Sequence, residues 1–322
     1  MVNPSSDICI PTRLAMSNST ELKNEDKGKY TFGHAAAVTK AHAVRLVSTD
    51  SRHLVPHLKP HHRILDIGCG PASITVDFLA GGYIDPDKGG SVTGIEPEST
   101  GDAILQQARA HAIERGVSNG IHFEHGDIHT LDQFADGSWD VVHVSQVFFH
   151  ISDSIRALQA IKRVLKPGTG ILSLREADFI TAQVGPQDPT WDEWKRYTID
   201  LYRSNGGHPD AGSNLLAWLG QAGYDLSRME LSADPFVYTN LPLPLGAPPN
   251  TLTAKAWAET TVGRSLLPKV REQVDQKLKD GVKLGDVKRF EETEKFWDLW
   301  RVWGERKDAF FTITNTQVIA RV

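Results

Sequence analysis

The segment Leu65-Asp-Ile-Gly-Cys-Gly-Pro-Ala72 constrains this chain more than any other. The apolar run Ile64-Leu65-Asp66-Ile67 leads straight into two glycines, and Ile74, Val76, Phe78 and Leu79 then recur as on a helix. The pattern is strand, tight glycine turn, helix. Glycine suits that turn because it accepts left-handed backbone angles and lets a ligand approach the main chain. The helix start adds free amide groups and the positive end of a dipole. Alone, such a turn is weak evidence for a ligand, since strand–helix junctions without one look alike.

The alternation continues down the chain. Val92–Ile95 reads as a second strand ending in Glu96, residues 99–115 as a helix, and Ile121–Glu124 as a third strand. Trp139–Val144 is a fourth, strongly apolar strand. Residues 153–165 carry Ile155, Leu158, Ile161, Val164 and Leu165 on one helical face, stopped by Lys166-Pro-Gly168, and Gly170–Leu174 is a fifth strand. Strands alternating with helices imply an α/β fold, a mostly parallel sheet covered on both faces. Tyr30 to about Leu58 reads as helical, with Ala35, Val38, Ala41, Leu46 and Val47 at roughly helical spacing. After Glu176 the rhythm changes. Residues 180–222 read as helices broken at Asn205-Gly-Gly-His-Pro, and Leu226–Ser232 as a sixth strand. Residues 240–250 are a proline-rich loop, 252–305 charged helices, and Ala309–Val322 a closing strand or hairpin.

This divides the 322 residues into a lead-in over 1–29, expected to be disordered, a nucleotide-binding core with an N-terminal lid over 30–178, and a remainder, 179–322, that completes the sheet and carries a helical cap. The hydrophobic fraction of 40% supports a sizeable core without crosslinks. Two cysteines, Cys9 and Cys69, make no disulfide framework, so a reducing, cytoplasmic location is expected. A net charge of −5 argues against a nucleic-acid partner, and no apolar run is long enough for a membrane helix.

Two further strand ends carry chemistry. Glu96 can accept hydrogen bonds from both hydroxyls of a ribose. In Gly126-Asp127-Ile128, an Asp can accept from an adenine amino group while Ile packs on the ring. Each alone also fits an ordinary solvated carboxylate or turn. Three such features at three successive strand ends converge on one crevice.

Together with Phe134-Ala-Asp-Gly-Ser-Trp-Asp-Val-Val142 and Arg163-Val-Leu-Lys-Pro-Gly168, these motifs resemble the class I methyltransferases that use S-adenosylmethionine (SAM), within them the UbiE-like small-molecule group. The likeness is close over about residues 30–176. It implies a Rossmann-like seven-stranded sheet with an antiparallel last strand and SAM across the strand ends. It assigns Asp66, Gly68 and Gly70 to the methionine part of SAM, Glu96 to the ribose, and Asp127 and Ile128 to the adenine. Ser145 and Gln146 are implied to line the cofactor, and Tyr30, in the segment Tyr30-Thr-Phe-Gly-His34, to lie in the lid near the sulfonium. The third glycine of the family's turn is replaced here by Ala72. A dehydrogenase shares the motif shape, but its longer Gly-x-Gly-x-x-Gly fingerprint is missing.

Methyl transfer asks mainly for orientation and exclusion of water, with a base when the acceptor is a hydroxyl. His150, just past the fourth strand, is the first candidate base, and His34, Glu176 and Asp178 are further acceptor-side candidates. Seven of the eight tryptophans lie at or beyond Trp191. Trp191, Trp194 and Trp257 are candidates to wall an acceptor pocket, with packing of a helix face as the plainer account. The amphipathic helices there also suit a homodimer interface. The histidine groups His61-His62 and His122/His125/His129 fit no zinc spacing and are expected at the surface, so no metal is implied. The expected activity is transfer of a methyl group to a small-molecule metabolite. The alternative is a SAM-binding protein of this fold that does not methylate, such as a cyclase or a regulator.

Overall fold

The computed structural model describes residues 45–242 and 253–322. Its elements run α1 (Val47–Asp50), β1 (Arg63–Ile67), α2 (Ser73–Ala80), β2 (Ser91–Glu96), α3 (Asp102–Glu114), β3 (Ile121–His125), β4 (Val141–Ser145), α4 (Ser154–Val164) and β5 (Ile171–Gly185). They continue with α5 (Pro189–Ser204), α6 (Ala211–Gln221), β6 (Met229–Thr239), α7 (Ala254–Ser265), α8 (Pro268–Lys279), α9 (Glu294–Gly304) and β7 (Phe310–Arg321). The seven strands form one sheet in the order β3-β2-β1-β4-β5-β7-β6. β1 to β5 are parallel, and β7 enters antiparallel between β5 and β6.

The period of two along each strand distributes the core. Ile64, Val92, Val141 and Ile171 point to one face, where Val47, Leu54 and Phe78 cover them. Leu65, Ile67, Val142, Val144, Leu172 and Leu174 point to the other, under Leu158 and Ile161 of α4. Helix starts follow local chemistry: Asp153 accepts from Arg156 N at the head of α4, and Asp188 accepts from Thr190 N where Pro189 opens α5.

Two expectations are corrected. β5 does not stop near Leu174 but runs to Gly185, so residues 180–185 are strand rather than helix. The cause is tertiary: β7 is twelve residues long and pairs with β5 as far as Gly185, across a bulge between Asp178 and Gln183. β6 begins at Met229 and extends to Thr239 for the same reason. Of the strand or hairpin expected for the closing segment, the structure has the strand, Phe310–Arg321. The core that starts under β1 continues without a break through Trp191, Trp194, Trp297, Trp300 and Trp303, so α5 and α9 are packed on the sheet's own core. Among the described residues, no helix is long and apolar enough to cross a membrane.

Candidate functional site

Sheet order decides where a crevice opens. The chain leaves β1 toward β2 and β3 on one side and returns to β4 and β5 on the other, so β1 and β4 flank the point where the winding reverses. Ligands of open α/β sheets sit there, outside the C-terminal strand ends. A cleft of about 900 Å³, its solvent-open part included, lies at that place. It is lined from three strand ends: Asp66 and the Gly68–Pro71 turn after β1, Glu96, Pro97 and Thr100 after β2, and Ser145, Gln146, Val147, His150 and Ile151 after β4.

The turn works through its backbone. Gly68 N and Cys69 N both donate to Ile95 O, which ties it to β2. Gly68 has φ +72°, and a Cβ there would stand 2.4 Å from Val147 Cγ2. Gly70 has φ +55° with open space around it. Ala72 also takes φ +64°, a left-handed conformation accepted at the start of α2. This is where the missing third glycine is felt, as backbone strain rather than crowding.

The carboxylates are buried. Asp66 accepts from Thr75 Oγ1 at 2.5 Å, and burial pushes its pKa up to about 7 against the help of that hydroxyl, with nearby Glu96 adding to the rise. Glu96 Oε1 accepts from Gly70 N at 2.6 Å, and burial likewise holds it at about 7. Arg45, also in the lining, enters just before α1, which Val47 N anchors to Asp77 Oδ2 of α2 at 2.9 Å. A cation and two acidic groups in one cleft complement a ligand with an amino-acid end and a diol. Among the described residues, no group of three or more His, Cys, Asp or Glu could hold a metal.

The structure brings Asp66, Gly68, Gly70, Glu96, Ser145, Gln146 and His150 together in this lining. It puts others elsewhere. Asp127 Oδ1 accepts from His129 N and Nδ1 at 2.9 and 2.8 Å, and Ile128 is buried in the core, so neither lines the cleft. Glu176 is fully buried and gathers the N–H groups of Val147, Phe148 and Phe149 at 2.8, 3.0 and 3.3 Å. It therefore holds the turn that presents Val147 and His150. Asp178 accepts from Ile180 N and from the Ser213 hydroxyl, pinning the β5 bulge. Trp191 and Trp194 are buried against Trp300 at ring distances of 4.9 and 5.0 Å, and Trp257 stacks on Tyr238 at 4.3 Å. For these three tryptophans, packing accounts for their placement. His62 is buried as well, unlike the surface position expected. Tyr30 and His34 lie outside the described residues.

Sequence inspection missed Arg45, Thr100 and Val147 in the lining, none of which sits in a recognisable motif. It also missed a polar layer behind β4 and β5. There His143 bonds Ser51 and Ser173 at 2.9 and 3.1 Å, Ser173 bonds His53 at 3.0 Å, and Arg175 pairs with Asp234 at 3.2 Å. Burial depresses His53 to about 4 and His143 to about 3, with Arg175 contributing to both. The signal was available as polar residues at strand positions whose neighbours are apolar.

Comparisons with known proteins agree with this geometry. Residues 65–173 match the family model described as a methyltransferase domain. An uncharacterized methyltransferase of Schizosaccharomyces pombe is 29% identical over 304 residues, 92% of this chain and 98% of that protein. A ubiquinone biosynthesis O-methyltransferase of Hahella chejuensis is 28% identical over 180 residues, 53% of this chain and 66% of its own length. A solved structure from Bacillus halodurans, described as a candidate methyltransferase, shares the fold with a TM-score of 0.51 at 17% identity, over 85% of this chain and 98% of that one.

Proposed function

We propose that this chain acts as a class I SAM-dependent methyltransferase and methylates a small organic acceptor docked beside residues 145–151. The observation that carries the proposal is the cleft at the β1/β4 reversal, acidic and glycine-walled on one side and ending at His150 on the other. Bound SAM supplies an electrophilic methyl group on a positively charged sulfur. We assign its amino-acid end to Asp66 and Arg45, ammonium to carboxylate and carboxylate to guanidinium. Glu96 is assigned to the ribose hydroxyls, and the Gly68–Gly70 backbone to close approach of the chain.

The acceptor side falls to the turn after β4. Glu176 fixes that turn, and Tyr202 of α5 packs 5.9 Å from the His150 ring, with Phe149 packed against both. A hydroxyl acceptor forms its new O–CH3 bond as the S–CH3 bond breaks, and the electron pair of that bond stays on sulfur. The hydroxyl proton goes to His150, the only imidazole lining the cleft among the described residues. The name of the Hahella relative supports an oxygen acceptor on a small molecule.

The test is incubation with methyl-labelled SAM and a small-molecule extract, followed by mass spectrometry. Label should appear in low-molecular-weight product. Label recovered only on protein or nucleic acid, or SAM bound without any transfer, would refute the proposal.

A further inference from the structure

Gln146 follows β4 with φ +62°, a left-handed backbone that non-glycine residues rarely adopt. Its main-chain N–H donates to Arg175 O at 2.9 Å. Its side-chain amide donates to Asn315 Oδ1 at 3.0 Å and, at the longer distance of 3.4 Å, to Arg175 O. Asn315 is fully buried on β7, and its own orientation is set by donation from Nδ2 to Asp234 O at 3.2 Å. With Nδ2 turned to Asp234 O, Asn315 presents Oδ1 toward Gln146, which meets it with its NH2. Both N–H groups of the Gln146 amide are thus used on the sheet. Oε1 is the polar side-chain atom left for the cleft that Gln146 lines.

We propose that Asn315 is a positioning residue: by locking the Gln146 amide with its carbonyl oxygen toward the cleft, it makes the cleft favour the positively charged cofactor over its neutral demethylated product. The inference rests on the SAM assignment of the cleft. Its sign follows from the surrounding groups. Asp66 and Glu96 are acidic, and the Ser145 hydroxyl is a buried oxygen with no hydrogen-bond partner. An amide dipole with oxygen outward adds to the potential these groups make, and a flipped amide would oppose it. Arg45 suits a carboxylate that both cofactor forms carry, so it does not discriminate between them. Once the methyl group has left, the sulfur is uncharged and this attraction is lost, which favours product release.

Calorimetric titration with SAM and with S-adenosylhomocysteine tests the inference on four proteins: unmodified, Gln146→Met, Asn315→Leu and the double variant. Gln146→Met should raise the SAM Kd about tenfold, the size of one contact to a charged group, and move the S-adenosylhomocysteine Kd by less than about twofold. Asn315→Leu should reproduce that split, and the double variant should be no worse than Gln146→Met, because Asn315 acts through Gln146. Equal weakening of both ligands by Gln146→Met overturns the inference while leaving the SAM assignment standing, and that variant decides alone if Asn315→Leu does not fold. Multiplied losses in the double variant also overturn it. Binding of neither ligand to the unmodified protein overturns the SAM assignment itself.

Discussion

Burial holds Asp66, Glu96 and Glu176 at about 7, yet each accepts at least one N–H or O–H donor. A carboxyl whose folded pKa is raised stabilises the fold below its unfolded value, and that contribution is lost as pH climbs through about 7. The same proton must leave before the group attracts a cation. SAM affinity should therefore increase as pH rises through about 7, and Asp66→Asn should weaken binding and flatten the dependence, as calorimetry at several pH values would record. An affinity independent of pH in the unmodified protein would contradict this assignment of charge. At His150 the expectation concerns turnover. With a hydroxyl acceptor, His150→Ala should lower kcat about 100-fold and leave the SAM Kd nearly unchanged. An unaltered rate–pH profile in single-turnover assays would remove the imidazole from proton transfer.

At the scale of elements, the strand–turn–helix units were legible because each announces itself within ten residues: an apolar run, a glycine or acidic stop, then helical spacing. Of the lining residues, Glu96 was found through its place at a strand end, and Asp66 and Gln146 through the family resemblance. What the sequence hid depends on partners far away in the chain. The extension of β5 over residues 180–185 follows from β7, and the burial of Glu176 and Asp178 follows from the loops they hold. The tryptophans show the same limit. Trp191 and Trp194 were open to a pocket-wall or a packing account, and only packing tells a core from a pocket wall. Trp300 is fully buried among Trp191, Trp194 and Trp303. Trp300→Ala should cost about 3–5 kcal/mol in urea unfolding, with SAM affinity of the folded protein little changed. A small stability loss together with a large loss of acceptor affinity would restore the pocket-wall reading.

The whole molecule stores a second pH dependence in the polar layer behind the sheet. His53 and His143 stay neutral in the fold because burial depresses them to about 4 and about 3. The unfolded chain takes up their protons below about 6.5, so stability is lost as pH falls from there toward 4. His53→Gln should reduce proton uptake on unfolding in that window by close to one, measured as the slope of unfolding free energy against pH. An unchanged slope would show that His53 is already protonated in the fold. Titration calorimetry of SAM, with NAD as control, tests the proposed hold of the β1/β4 cleft on SAM through Glu96 and the glycine turn. SAM should bind and NAD should not, and Glu96→Ala should weaken SAM by about 1–3 kcal/mol, as for lost hydrogen bonds to a charged acceptor. Tight NAD binding without SAM binding, or a Glu96→Ala variant that binds SAM as well as the unmodified protein, would contradict it.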